Sequence, residues 1–204
     1  MEGYGPTSLC QMCKEHDAIL RCVDCTCSQL LCPACCTAAH KSMPFHRLEK
    51  WSWKFFERTN LTAQGFILYL GHGGDPCESI SNDTFGPSSS SQKGLDSVVV
   101  VDVLGVHNMS VSWCQCENNN AKHIQLFHAK LFPTTIKRPS SAFTFQVLDY
   151  FHIDSVECKA SAMTFYTKLR RLTDYVSPED VPVRALRPSL NCLAINITKL
   201  GPIP

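Results

Sequence analysis

Cysteine spacing near the N-terminus constrains this 204-residue chain more than any other feature. Three Cys-x-x-Cys pairs are followed by two histidines, in the order Cys10, Cys13, Cys22, Cys25, Cys32, Cys35, His40 and His46. A Cys-x-x-Cys turn directs two sulfurs at one point, and thiolate and imidazole are the ligands that zinc prefers, four to each structural ion. Three pairs and two histidines supply eight ligands, which predicts two zinc ions.

Two other uses of these thiols, a disulfide framework and a redox centre, fit the sequence less well. The N-terminus has no basic and apolar signal sequence, so we expect a nuclear or cytoplasmic protein that is not secreted. Disulfides do not persist in such reducing compartments, and thirteen cysteines are an odd number. A redox Cys-x-x-Cys begins a helix after a strand, and no strand pattern precedes these pairs.

A cross-braced arrangement would pair the ligands alternately along the chain. Cys10, Cys13, Cys32 and Cys35 then hold one ion, and Cys22, Cys25, His40 and His46 hold the other. Interleaving ties together a segment with too few apolar residues to fold alone. Sequential pairing stays open as an alternative that leaves two independent small sites. Both sites are interpreted as structural, because neither has an obvious open position or a nearby general base.

Three residues near these ligands are surplus: Cys27, Cys36 and His16. Any of them could replace one of the eight, and the adjacent Cys35 and Cys36 leave that ligand ambiguous. The ligand order and the short cross-braced length resemble a B-box zinc finger. That resemblance implies a module that mediates protein–protein contact and performs no chemistry.

A third zinc site could form from His72, Cys77, Cys114 and Cys116. "LGHGGDPC" ends one predicted strand and "WCQC" ends another, and Cys-x-Cys is a workable chelate. His107, in the predicted turn of a hairpin, is an alternative ligand. The competing interpretation is buried cysteines beside surface histidines, since buried cysteine is common.

The remaining patterns predict an α+β fold with four segments. A loose N-terminus (1–9) precedes the zinc module (10–46), a mixed body (47–176) and a divergent, irregular tail (177–204). Strands are predicted at 65–72, 95–103 and 109–116, with polar loops at 77–94 and 117–122. The last two strands should form an antiparallel hairpin that turns at "LGVHN".

Helical spacing appears twice after Pro139. The first helix would place Phe143, Val147, Leu148 and Phe151 on one face, with Ser140 or Ser141 as its N-cap. The second would place Met163, Tyr166, Leu169, Leu172 and Val176 together. We interpret both apolar faces as core packing between the two helices.

Catalysis has weak support. Asp102 lies in a valine-rich strand, but a two-metal nuclease site needs further acidic partners. The acids available, Asp149, Asp154 and Asp174, are predicted on helix surfaces or ends. We expect Asp102 to be a strand-end carboxylate hydrogen-bonded into the turn at Gly105, and the protein not to be an enzyme.

The overall charge gives no general attraction to nucleic acid or lipid. The net charge is +1, and the basic group Lys168, Arg170, Arg171 and Arg184 is explained as well by a solvated helix face as by phosphate contacts. The apolar runs are too short to span a bilayer. We expect a DNA or protein partner, no membrane and no small-molecule substrate.

An ordered series of motifs points to a known family. It comprises "PFHRLEKW" (44–51), "FFERTNL" (55–61), "LYLGH" (68–72), "VVVVDVLGVH" (98–107), "WCQC" (113–116), "QLF" (125–127), "LFPTTIKRPSSAFTF" (131–145) and "KASAMTFYTKLRRLTD" (159–174). From about Cys10 to Asp174 the chain resembles the second CxC-like cysteine cluster domain found in fungal KDZ (Kyakuja, Dileera and Zisupton) transposases.

The resemblance implies a transposon-derived, nuclear protein whose cysteine cluster is a zinc-binding accessory to a larger catalytic domain, in contact with DNA or protein. It implies the eight N-terminal ligands Cys10, Cys13, Cys22, Cys25, Cys32, Cys35, His40 and His46, and the "LGH", Cys77 and "WCQC" motifs also match. The sequence departs from the family after about Tyr175. We therefore expect a truncated or decayed copy, or a gene model that ends early, without transposase catalysis.

Overall fold

The computed structural model describes residues 8–27, 29–77, 95–116 and 121–181. It divides into two compact units, residues 1–67 and residues 68–204, and each contains its own β-sheet and at least one α-helix. The predicted α+β class is confirmed. Within these described ranges, no helix has the length and apolar character that a membrane crossing requires.

The first unit is built on a four-stranded antiparallel sheet in the order β2-β1-β3-β4. The strands are β1 (Leu20–Cys22), β2 (Leu30–Leu31), β3 (Leu48–Trp51) and β4 (Phe56–Thr59), with helix α1 (Pro33–Ala39) and a 3₁₀ turn (Thr62–Gln64). β3 and β4 follow the predicted end of the zinc module at residue 46. Because β3 pairs with β1, they extend the module's own sheet.

Apolar burial in the first unit is small. Its buried apolar side chains, apart from cysteine, are Ala18, Leu20, Leu30, Leu31, Leu48, Leu61 and Phe66. The other buried residues are Cys10, Cys22, Cys32, Cys36 and His40. Residues 8 and 9, predicted as part of a loose terminus, are fixed in place because Leu9 bridges to Asp17. So small an apolar core is typical of domains that need a staple such as a metal ion.

The second unit is built on a five-stranded mixed sheet in the order β5-β7-β6-β9-β8. The strands are β5 (Leu68–Leu70), β6 (Leu95–Asp102), β7 (Gly105–Trp113), β8 (Leu131–Pro133) and β9 (Ser141–Thr144). The helices are α2 (Lys122–His128), α3 (Phe145–Glu157) and α4 (Ala162–Thr173), with 3₁₀ turns at His72–Gly74 and Pro178–Asp180. β5 runs parallel to β7, and β6 runs parallel to β9.

The predicted hairpin is confirmed, with a tighter turn than expected. β6 and β7 pair from Leu95 opposite Ser112 to Asp102 opposite Gly105, which leaves a two-residue connection. Gly105 already belongs to β7, with φ of 140°. A Cβ at this position would lie 2.6 Å from the Thr173 Oγ1 atom, so the end of α4 packs here only against glycine.

The predicted start of the first C-terminal helix is wrong. Phe143 lies in β9, a strand that the sequence did not indicate, and the helix begins at Phe145. The N-cap is Thr144, whose Oγ1 accepts a hydrogen bond from the Val147 amide at 3.2 Å, and not Ser140 or Ser141. The reason is burial: Phe143 is inserted beside β6, where β-sheet pairing overrides helical spacing.

The predicted apolar face of the last helix is only partly correct. Tyr166 and Leu169 are buried as expected, whereas Met163 and Leu172 are exposed and Val176 lies beyond the end of α4. The buried face is instead Ala162, Phe165, Tyr166 and Leu169. These side chains join Val101, Val106, Phe143, Val147 and Phe151 in one core, so the helices pack on the sheet as well as on each other.

Several predicted features fall outside the residues that the structure describes. Residues 1–7 of the N-terminus, 78–94 and 117–120 of the polar loops, and 182–204 of the tail, with Arg184, are among them. Helix α2, which follows the second of these loops, was not predicted. Of the basic group, Lys168 forms an ion pair with Asp154 at 2.8 Å.

Candidate metal centres

Three groups of cysteine and histidine side chains converge in the structure, each with its four donor atoms within 4.8 Å of one another. Cluster I is Cys10, Cys13, Cys32 and Cys35; cluster II is Cys22, Cys25, His40 and His46; cluster III is His72, Cys77, Cys114 and Cys116. A tetrahedral zinc ion holds sulfurs about 3.8 Å apart, and a sulfur and a nitrogen about 3.5 Å apart, given its usual bond lengths. The residues are therefore placed at metal-site distances.

Cluster I joins the first and third cysteine pairs. The Cys13 and Cys32 sulfurs are 3.9 Å apart, close to the tetrahedral edge. Cys32 also caps helix α1, since its sulfur accepts a hydrogen bond from the Cys35 amide at 3.5 Å, and Pro33 occupies the first helical position. The helix start therefore fixes the direction of two donors at once.

Cluster II joins the middle pair to the two histidines. The Cys25 sulfur lies 3.4 Å from His40 Nε2 and 3.4 Å from His46 Nδ1. The other ring nitrogen of His40, Nδ1, is 2.9 Å from the Cys36 carbonyl oxygen and donates to it. That hydrogen bond leaves the Nε2 lone pair facing the cluster, which is the usual way in which proteins orient a histidine ligand.

A partly buried ion pair braces cluster II from outside. Asp24, inside the second Cys-x-x-Cys turn, accepts hydrogen bonds from the Arg47 amide at 2.6 Å and from its guanidinium at 2.5 Å. Arg47 directly follows His46. Burial opposes ionisation of Asp24, but the Arg47 hydrogen bonds outweigh it and hold the pKa of the carboxyl below its usual value. The two ligand-bearing loops are thereby fixed to each other.

Helix α1 connects the two clusters. Cys35, a cluster I residue, lies in its first turn, and His40, a cluster II residue, is its C-cap. A seven-residue helix is about 10 Å long. The donors are thus grouped as the cross-braced pairing predicts and not sequentially.

Two thiols of cluster I, Cys13 and Cys35, have pKa values that are shifted in opposite directions. Hydrogen bonds from the Glu15 amide and the His16 ring lower the pKa of Cys13 to about 6. The hydrogen bond with Cys32 and burial raise the pKa of Cys35 to about 12. Thiolates this close repel one another, and a divalent cation at the centre would remove that repulsion.

The surplus residues can now be placed. Cys36 is buried in α1, where burial raises the pKa of its thiol to about 11, and its sulfur is not among the cluster donors. Cys35 is the donor of the adjacent pair. Cys27 is exposed. His16 lies beside cluster I, with its Nδ1 3.8 Å from the Cys13 sulfur.

Cluster III lies where β5 and β7 end. Leu70 pairs with Trp113, so the parallel strands bring the residues after them, His72 and Cys114, to the same edge. His72 Nε2 is 3.3 Å from the Cys114 sulfur and 3.4 Å from that of Cys116. The Cys77 sulfur is 3.6 Å from that of Cys116. The alternative ligand His107 pairs with Val100 across the hairpin and is outside the cluster.

The Gln125 side chain holds Cys114 in place from helix α2. It is buried, its Oε1 accepts from the Cys114 amide at 3.0 Å, and its Nε2 donates to the Cys114 carbonyl at 3.1 Å. On the other side, a Cβ at Gly71 would lie 2.9 Å from the Cys114 Cβ. Sequence reasoning missed Gln125 because neither its spacing nor its residue type suggests a metal site.

Cluster III is the most accessible of the three. His72 is exposed, Cys114 and Cys116 are half-buried and Cys77 is buried, whereas clusters I and II each have two buried ligands and no exposed one. A cavity of about 500 Å³ opens beside His72 and Cys114 and is also lined by Tyr69 and His128. Small chelators and oxidants should reach this cluster first.

Asp102 has a structural role at the end of β6. Its Oδ2 accepts from the Leu104 amide at 3.1 Å, which confirms the predicted hydrogen bond into the turn. Its Oδ1 accepts from the Thr144 hydroxyl at 2.8 Å. In the part of the chain that the structure describes, no group able to hold a metal ion includes a carboxylate.

Clustered cysteines and histidines on an α+β scaffold define a class of proteins, the cysteine cluster domains that can hold metal ions. A family model described as "CxC2 like cysteine cluster associated with KDZ transposases" matches residues 61–177, more than half of the chain. The chain belongs to this family. The match contains cluster III, while clusters I and II precede it.

Beyond the family, no curated protein matches the chain. No solved structure matches it either.

Proposed function

We propose that this protein is a non-catalytic zinc-binding accessory region of a KDZ transposase-derived protein, and that it acts by binding nucleic acid in the nucleus. The observation that carries the proposal is the placement of three Cys/His donor sets at the distances of a tetrahedral ion, in a chain of the KDZ-associated family. Tetrahedral thiolate and imidazole sites favour zinc among biological metals. We infer three ions per chain.

A structural role for the ions fits the donor count. Each cluster supplies four protein ligands, and catalytic zinc sites keep a position open for water or substrate. Asp102, the strand-end acid that could have begun a nuclease site, has both oxygens engaged by Leu104 and Thr144. These contacts support a protein without catalytic activity.

A second candidate is a B-box-like protein-interaction module unrelated to transposition. The observation that favours it is the ligand order of clusters I and II, interleaved through helix α1. An inactive transposon remnant is the third candidate. The family's association with transposases favours nucleic acid over these, because transposition is chemistry performed on DNA.

Two measurements test the proposal. Elemental analysis of protein purified without added metal should give three zinc ions per chain. A count of two would exclude cluster III as a zinc site, and a count of zero would overturn the zinc assignment. Retention on immobilised DNA should weaken steeply as salt rises, because phosphate contacts release counterions. A zinc-loaded chain that binds no DNA at low salt would favour the protein-interaction module.

A further inference from the structure

The tip of the β3–β4 hairpin in the first unit exposes two aromatic rings. Trp53 is 68% exposed and Phe55 is 59% exposed, with the exposed Lys54 between them. The loop is closed by Ser52, whose amide and hydroxyl both donate to the Phe55 carbonyl, at 2.9 and 2.8 Å. Two neighbouring exposed rings on a closed loop form a candidate contact surface.

Trp53 also occupies an unfavourable backbone conformation. Its φ is 70°, in the left-handed region that glycine and asparagine adopt readily and bulky residues rarely do. A glycine here would form the same turn without strain. The tryptophan at this position therefore has no local conformational advantage, and its exposed ring is the feature that distinguishes it from glycine.

Two half-buried rings on the strands behind the tip continue the aromatic surface. The Trp51 and Phe56 rings are paired across the strands with centroids 5.0 Å apart. The Arg21 guanidinium lies 3.8 Å from the centre of the Phe56 ring and forms an ion pair with Glu49 at 2.6 Å. Guanidinium stacking on an aromatic face is the geometry that also binds nucleobases.

The charge of the hairpin is positive. Residues 48–59 contain three basic residues, Lys50, Lys54 and Arg58, and two acids, Glu49 and Glu57, and Glu49 is paired with Arg21. All three basic residues are exposed. Lys54 stands between the two exposed rings in the sequence, so the tip itself carries a positive charge, which complements an anionic partner and disfavours a neutral apolar peptide.

We propose that this hairpin, Trp51 to Phe56 with Arg21 and Arg58, binds single-stranded nucleic acid. Bases stack on Trp53 and Phe55, and Lys54 and Arg58 contact phosphates. Single strands are favoured over duplex because only unpaired bases offer their faces for stacking. The inference rests on the proposed nucleic-acid function and assigns it a surface and a ligand class.

The test uses the full zinc-loaded chain and a fluorescently labelled 12-nucleotide oligo(dT), with binding measured by anisotropy at low salt. Trp53→Ala and Phe55→Ala should each weaken binding about 10-fold, which corresponds to the loss of one stacked base. Trp53→Phe should retain most of the affinity. Tyr175→Ala is the matched control, since Tyr175 is an aromatic residue 71% exposed in the second unit, and should change nothing.

The outcomes separate this surface from the broader function. If the Trp53→Ala, Phe55→Ala double variant binds with wild-type affinity, the chain binds nucleic acid elsewhere and the hairpin assignment is wrong. If the wild type binds neither oligo(dT) nor duplex, both proposals fail. Binding duplex as tightly as oligo(dT) would also overturn stacking.

A variant that leaves both rings in place tests the same site even if the alanine variants fail to fold. Lys54→Gln should keep the zinc content of the wild type and reduce the slope of log affinity against log salt by about 0.7, the value for one phosphate contact on a single strand. An unchanged slope would remove Lys54 from the site and contradict the proposed contact.

Discussion

The two units of this protein place their Cys/His clusters in opposite ways. In the first, clusters I and II are the centre of the structure, and a few leucines such as Leu20 and Leu48 surround them. In the second, cluster III lies at the end of β5 and β7, at one edge of a sheet whose core is built from Val101, Phe143 and Tyr166. Similar sets of donor residues therefore have different structural roles in the two units.

This contrast predicts what a metal ion would contribute to each unit. A domain with little apolar burial depends on metal binding for its folding free energy. A domain with a continuous apolar core is stable through burial, and the metal fixes only the local loops.

Removing metal from the whole chain should have the largest effect. A strong chelator should unfold the first unit, because structural zinc contributes on the order of 10 kcal/mol per ion. The second unit should keep its sheet. Hydrogen exchange followed by mass spectrometry measures both: amides of β1 and β3 should exchange rapidly, while those of β6 and β9 stay protected.

Two observations would contradict that contrast. Protected β1 amides after complete zinc removal would mean that the first unit folds without metal. Loss of protection throughout β6 would mean that cluster III stabilises the whole second unit and not only its edge.

Single ligand substitutions should reproduce the contrast one cluster at a time. Cys22→Ser removes a buried cluster II ligand and should unfold the first unit; Cys114→Ser should release one zinc ion and leave the second unit folded. Cys27→Ser and Cys158→Ser are matched controls, since both thiols are exposed and outside the clusters. Zinc content and thermal unfolding check the result; equal destabilisation by Cys22→Ser and Cys114→Ser would abolish the distinction.

The donor sets were predictable because metal ligands follow local spacing. Cys10-x-x-Cys13 places two sulfurs together whatever surrounds them, and the valine run of β6 identifies a buried strand in the same way. Family membership followed from motif order. The Cys-x-x-Cys pairs and the valine run are local signals, and the family signal is a series of such short motifs in order along the chain.

Features that depend on distant partners were not predictable. The Thr144 hydroxyl caps α3 only because Phe143 pairs into the sheet beside β6. The strands of the first unit are two to four residues long, too short to show a period. Gln125 reaches Cys114 through helix α2, which no pattern predicted. Tertiary contacts decide these cases.

The Gln125 contact allows cluster III to be weakened without changing a ligand. Gln125→Leu removes both hydrogen bonds to the half-buried Cys114, each of which contributes about 0.5–1.5 kcal/mol. Zinc at cluster III should be released first in competition with a chromogenic chelator. The Gln146→Leu variant is the control, since Gln146 is exposed on α3.

The same competition experiment can show that Gln125 does not act locally on cluster III. If Gln125→Leu releases zinc from clusters I and II as readily as from cluster III, the effect is not local and the positioning role is wrong. Unchanged release from all three clusters would show that Cys114 needs no support from α2.

The smallest expected effect concerns a surface carboxylate beside cluster III. The pKa of Asp96 is below its usual value because Lys122 bonds to it at 2.5 Å, and Trp113 Nε1 donates to it at 2.7 Å. Its side chain is 50% exposed, so the interaction contributes at most about 1 kcal/mol.

This contribution has a definite pH dependence. Because the pKa of Asp96 is lower in the folded state than in the unfolded state, its charge stabilises the fold at every pH above the ordinary carboxyl pKa. This stabilisation is lost as the pH falls through the folded-state pKa. Asp96→Asn should therefore unfold at slightly lower urea than the wild type near neutral pH, and the difference should vanish in acid. Acid also protonates the cluster ligands, but it does so equally in the wild type and in the variant. The difference between the two proteins therefore reports Asp96 alone. A difference that persists or grows in acid would show that Asp96 acts through packing around Trp113 and not through its charge.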